Sequence, residues 1–197
     1  MTYLKISKYD PSNRNHDGYY FRDDEWLDAS NIGIGRGGKI LTLDDYLAVE
    51  DKYVSAAQQF IDILGIKQLT ICSLEKRSKC ASKFLQSDCD RFTGIVADGN
   101  IISSEEFPSY FRMVLRGAFW CRLVGENDFY VSVGHDYWMF LGYEGDNDIS
   151  DQIVTDLFIE PFIYPFHDRE EEDDVEGVDI DELLDEDAEI DEKEEED

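Results

Sequence analysis

At 197 residues and a formal net charge of −28, the chain is long enough to bury the core of one domain and is strongly acidic. Phosphate contacts need clustered Lys and Arg, so this balance argues against nucleic acid and anionic membranes as partners and favours a basic one. No apolar run approaches the ~20 residues that cross a bilayer, and residues 1–5 lack the apolar core of a leader, so a cytosolic location is the default expectation.

The charge is unevenly spread. From residue 168 onward twenty acids stand against Arg169 and Lys193, a net −18, and residues 1–167 carry the remaining −10. The expected organisation is one α+β domain over 1–167 and an acidic low-complexity tail over 168–197. That tail repels itself and should be disordered. Its interspersed Val178, Ile180, Leu183, Leu184 and Ile190 leave two readings open, a short amphipathic helix that forms on a partner or a tail that only confers solubility.

Residues 3–9 alternate as a first strand, stopped by Asp10-Pro11-Ser12-Asn13. An irregular stretch to Gly38 follows, with the acids Asp23, Asp24 and Glu25 beside Trp26. Gly33-Ile34-Gly35-Arg36-Gly37-Gly38 matches G-x-G-x-x-G in form only. No strand leads into it and the next helix signal waits until Thr42, so a loop is expected rather than a phosphate cradle. Residues 43–64 form the best helix. Thr42 is a natural N-cap, Asp44 and Asp45 suit the positive end of the dipole, and Gly65 is a left-handed stop. Leu43, Leu47, Val54, Ala57, Ile61 and Leu64 supply an apolar stripe, widened by Tyr46, Tyr53 and Phe60. Residues 66–74 alternate as a strand.

Residues 75–90 hold the chain's basic concentration and leave the element open, one reading being a solvated helix with Cys80, Phe84 and Leu85 turned inward. Residues 92–102 read as two short strands about an Asp98-Gly99-Asn100 turn. Ser104 opens a helix to about Arg116, with Phe107, Phe111, Val114 and Leu115 as its apolar side. A three-strand meander then spans 118–143. One of its faces carries Phe119, Cys121, Leu123, Phe129, Val131 and Val133, and the other carries Trp120, Arg122, Tyr130 and Ser132. One more short element is expected near Ile153–Ile159, and residues 160–166 should lie extended along the body. The fold class that follows is a mainly antiparallel sheet packed against two or three helices.

Little catalytic chemistry is legible. The three histidines lack metal-ligand spacing, and His135-Asp136 sits in a turn where local backbone bonding explains the Asp. The cysteines, Cys72, Cys80, Cys89 and Cys121, form no CxxC pair and suit a reducing compartment as thiols. No enzyme, cofactor or metal is expected.

Several stretches together resemble one family. They are Tyr3-Leu4-Lys5-Ile6-Ser7-Lys8-Tyr9-Asp10-Pro11, Asp24-Glu25-Trp26 with Asn31-Ile32-Gly33, Ile101-Ile102-Ser103-Ser104-Glu105-Glu106-Phe107, Trp120-Cys121-Arg122-Leu123, and the run from Tyr130 through Gly134-His135-Asp136-Tyr137-Trp138 to Gly142. The pattern is similar to bacterial immunity proteins encoded beside polymorphic or contact-dependent growth-inhibition toxins. Asn31 stands where that pattern has Asp. The resemblance implies a protein that binds a cognate toxin domain, often a basic nuclease, and blocks its active site or an exosite. The toxin-binding candidates are Asp23, Asp24, Glu25 and Trp26 in the first loop and His135, Asp136 and Tyr137 at the hairpin tip. The alternative is an acidic chaperone or scaffold that holds basic proteins through its tail. Oligomeric state is open.

Overall fold

The computed structural model describes residues 1–16, 20, 25–77, 79–145 and 148–162. The compact unit that holds the sheet spans Met1–Ile163. The acidic tail, with the disorder expected of it, lies outside the described residues.

The strands are β1 (Thr2–Ser7), β2 (Gly35–Arg36), β3 (Lys39–Ile40), β4 (Gln68–Lys76), β5 (Ile101–Ser103), β6 (Phe119–Gly125), β7 (Tyr130–Val133), β8 (Met139–Tyr143) and β9 (Phe158–Pro161). The helices are α1 (Leu43–Leu64), α2 (Gln86–Thr93) and α3 (Phe107–Leu115). Seven strands make one antiparallel sheet in the order β5-β4-β6-β7-β8-β1-β9, and β2 with β3 forms a separate hairpin. The α+β class read from the sequence is the class observed. The meander β6-β7-β8 lies at the centre of the sheet. The chain's first strand joins it, with Leu4 opposite Leu141 and Ile6 opposite Met139, and β9 closes the far edge on β1.

Alternation decides what the sheet buries. Leu4, Ile6, Leu69, Ile71, Cys121, Leu123, Val131, Met139 and Leu141 are at most 1% exposed and meet α1 and α3. Fully burying such a side chain is worth about 1.5–3 kcal/mol. Across the sheet, Trp120, Arg122, Ser132, Phe140 and Lys5 stay partly exposed. Gly142 makes room there for aromatics, since a Cβ on it would sit 2.4 Å from Cε1 of Tyr130.

Helix α1 begins and ends where its sequence directs. The Thr42 hydroxyl accepts the Asp45 N–H at 3.1 Å, and Gly65 closes the helix at φ +71°. Its buried line keeps Val54, Ala57, Ile61 and the three aromatics of the expected stripe and adds Glu50. Tyr46, Glu50, Tyr53, Ala57 and Phe60 are fully buried, while Leu43, Leu47 and Leu64 only border the core. Glu50 is tolerated there because three charge-assisted bonds meet it. Arg116 Nε lies 2.7 Å from Oε1, and Arg116 Nη2 and Arg112 Nη1 each lie 2.8 Å from Oε2. Arg116 also reaches Asp88 on α2 at 2.9 Å.

Three local expectations are corrected. Residues 75–90 are not one helix. Strand β4 runs to Lys76 across a bulge between Cys72 and Glu75, where Ser73 has φ +56°, and α2 starts only at Gln86. Leu85 and Cys80 turn inward as expected, but Phe84 is 51% exposed. Residues 92–102 are not a hairpin. The Asp98-Gly99-Asn100 turn leads into β5, which pairs with β4 instead of with its own neighbour. Nor are all four cysteines thiols, because Cys80 and Cys89 are disulfide-bonded with Cα atoms 6.1 Å apart. Cys72 and Cys121 are free, and burial pushes the Cys121 thiol up to about 12.

Candidate functional site

Trp26 from the first loop and Tyr137 from the hairpin tip, both singled out in the sequence, meet at one end of the meander. The turn between β7 and β8 closes with the Gly134 N–H donating to the Trp138 carbonyl at 2.8 Å. Within it, Asp136 and Tyr137 both have φ +61°. Asp tolerates the left-handed region, but a bulky tyrosine rarely adopts it, and such a conformation lasts only where its surroundings enforce it.

Here the enforcement comes from the core. Tyr137 is 2% exposed, and its ring stands edge-on to Tyr53 at 4.9 Å and to Trp26 at 5.0 Å. The Tyr137 hydroxyl donates to the Tyr46 oxygen at 3.1 Å, and the Tyr46 hydroxyl donates to the Leu115 carbonyl at 3.3 Å. The Tyr53 hydroxyl donates to the Tyr137 carbonyl at 2.8 Å and accepts the Lys8 N–H at the same distance. Aromatic residues of α1 thus clamp the turn from inside, leaving His135 and Asp136 exposed.

Trp26 supports the same cluster. It is partly buried against Tyr46 and Tyr137, with Lys8 Nζ 4.3 Å above its ring. Lys8 Nζ also pairs with Glu25 Oε2 at 2.6 Å. The next residues are set by Asp28, which caps the 3₁₀ turn Ala29–Asn31 by accepting the Ser30 N–H at 2.7 Å. Asn31 Oδ1, on a residue 8% exposed, accepts the Leu27 N–H at 2.8 Å. Burial and then the Asp136 and Glu25 charges, with Asp28 adding to them, push the Tyr9 phenol well above its usual range. Asp28 and Asp136, far apart in the sequence, are thus brought to one neighbourhood.

Beside the turn lies a cleft of about 180 Å³. Its floor is Val114, Leu115, Phe119, Val133 and Tyr137, and Asp28, Arg77, His135 and Asp136 stand around it with Trp120. A second cleft of about 320 Å³ adjoins it, sharing Arg77, Trp120 and His135 and adding Glu75. The Trp120 indole N–H donates to the Val133 carbonyl at 2.6 Å, which fixes the ring at the shared wall.

Of the seven residues chosen from the sequence, His135 and Asp136 are presented outward, while Glu25 is held in an ion pair. Trp26 and Tyr137 act as internal supports, and Asp23 and Asp24 lie outside the described residues. Sequence reasoning missed Asp28, Glu75 and Arg77. The Asp-x-Ser capping pattern at 28–30 was a legible signal for the first. Glu75 and Arg77 were hidden in a charged run whose direction depends on the β4 bulge. The glycine run forms the β2–β3 hairpin, and α1 opens at Leu43, beyond the last glycine. Among the described residues no cluster of three or more His, Cys, Asp or Glu could hold a metal ion. No described helix is long and apolar enough to cross a membrane.

Comparison with protein-family models, curated proteins and solved structures gives no match.

Proposed function

We propose that this chain is an immunity protein that binds the toxic domain of a neighbouring gene product and neutralises it in the cytoplasm of the producing cell. The partner is a basic protein domain, with a nuclease as the leading candidate. The observation that carries the proposal is the meeting of Asp28 and Asp136 over a rigid aromatic base at one cleft, on a chain whose charge is −28. Opposite charge steers encounter and suppresses wrong partners, and a preorganised turn lowers the entropy lost on docking. A disulfide is uncommon in the cytoplasm, so the Cys80–Cys89 bond is the feature least expected of that compartment.

A second reading is supported by the twenty acids after residue 167, which could hold basic proteins without any folded surface. Growth rescue separates the two. The C-terminal domain of the protein encoded immediately upstream is expressed under tight control, with and without this chain. Protection by a 1–167 fragment supports the immunity role, and protection that needs residues 168–197 supports the scaffold. Toxicity unrelieved by the intact chain removes that neighbour as the partner.

A further inference from the structure

We infer that the cleft beneath the β7–β8 turn receives one long cationic side chain, arginine or lysine, from the partner. This rests on the proposed binding of a basic domain and names the group that is gripped. A cleft of about 180 Å³ has room for a single long side chain. Its floor is apolar, built from Val114, Leu115, Phe119, Val133 and Tyr137, each no more than 8% exposed. Its charged groups are Asp28 and Asp136 against Arg77, with Glu75 in the adjoining cleft. An aliphatic stem capped by a positive head matches that order, with the stem on the floor and the head between carboxylates. The fixed Trp120 ring adds a face for a cation. An anionic head would meet two carboxylates, and a purely apolar side chain would cover charged groups with nothing to pair them.

The competing reading of the same cleft is an anion held by Arg77 and His135, and the test is built to expose it. Nα-acetyl-arginine amide is titrated into the full-length chain at physiological salt, with Nα-acetyl-norleucine amide and Nα-acetyl-glutamate amide as controls. The readouts are the NMR signals of the Trp120 indole N–H and the Gly134 and His135 amides, which isolate the cleft from the acidic tail. The arginine amide should move these signals along a saturable curve with a millimolar midpoint, and neither control should. Replacing both carboxylates (Asp28→Asn with Asp136→Asn) should weaken binding about fivefold to tenfold, and Arg77→Ala should strengthen it. Asn preserves both the 3₁₀ cap and the left-handed turn, so the double variant keeps the fold. Three results overturn the inference. One is no shift at these signals, another is a shift unchanged in the double variant, and the third is a glutamate-amide shift that Arg77→Ala abolishes. A chain that protects cells yet fails this titration loses the slot alone. A slot that binds in a chain without protective activity removes the immunity role and leaves the slot standing.

Discussion

Glu50 is fully buried on α1 and held by Arg116 and Arg112, with Arg116 passing on to Asp88 of α2. Burial alone would lower the Arg116 pKa, but the bonds to Glu50 and its charge outweigh this and raise it. Changing Arg116→Met removes two of the three bonds to a carboxylate that has no water to fall back on. Breaking a buried pair from one side costs about 3–5 kcal/mol. For a domain of this size that is a fall in Tm of roughly 6–20 °C, a large share of a typical total stability of about 5–15 kcal/mol. The double change Glu50→Met with Arg116→Met leaves no lone buried charge, and Arg112 keeps Asp51 at 2.7 Å. It should therefore cost less than either single change, with a coupling of about 2 kcal/mol or more. Urea unfolding of the four proteins measures this. An additive cycle, or a loss below about 0.5 kcal/mol for Arg116→Met, would refute the claim that this network ties α1, α2 and α3 together.

Three further expectations follow from other contacts. The Cys80–Cys89 bond closes a loop of nine residues in sequence separation, so Cys80→Ser should cost roughly 2–3 kcal/mol by chain entropy, and thiol counting in unreduced, denatured protein should find two thiols instead of four. Gly142→Ala drives a Cβ into the Tyr130 ring and should cost about 1–3 kcal/mol in unfolding experiments, and much less when introduced into a Tyr130→Ser background. Glu160 accepts a bond from Arg14 at 2.6 Å, which with the nearby charges of Lys5 and Arg14 holds its carboxyl below the ordinary 4.5. A depressed carboxylate stabilises the fold above that ordinary value and loses the contribution as pH falls through the lower folded one. Amide protection across β9 should accordingly hold above about pH 4.5 and weaken below it, and the same acid step in Glu160→Gln would show that another group is responsible.

What was legible in the sequence was local. Thr42, Asp44, Asp45 and Gly65 delimit α1 because caps and dipoles act within one turn. The meander was legible because alternation and turn residues are also local. Features set by distant pairing were not. Residues 92–102 have the composition of a hairpin, but β5 finds its partner in β4 and the segment before it becomes the end of α2. The line of α1 that faces inward is chosen by Tyr137, Arg112 and Arg116, so Leu43 and Leu47 lost the centre to Tyr46 and Glu50. At the site, Trp26 and Tyr137 stood out as aromatics beside turns, yet their contact across the fold turns both into supports. Asp28 and Arg77 gain their interest only from what faces them across the cleft.

The proposed function rests on a folded binding surface, and affinity under salt tests it most directly. The full-length chain is titrated against the purified toxic domain of its neighbour at 0.15 M and 0.5 M salt, beside the variant carrying Asp28→Asn and Asp136→Asn. Screening at 0.15 M already reaches within about 8 Å, so contacts at a packed cleft should survive added salt better than loose charge pairing. The account expects wild-type affinity to change by no more than about tenfold between the two salts and the variant to bind more weakly at both. Affinity that collapses with salt and is identical in the variant would place binding on the polyanionic residues 168–197 and contradict the account.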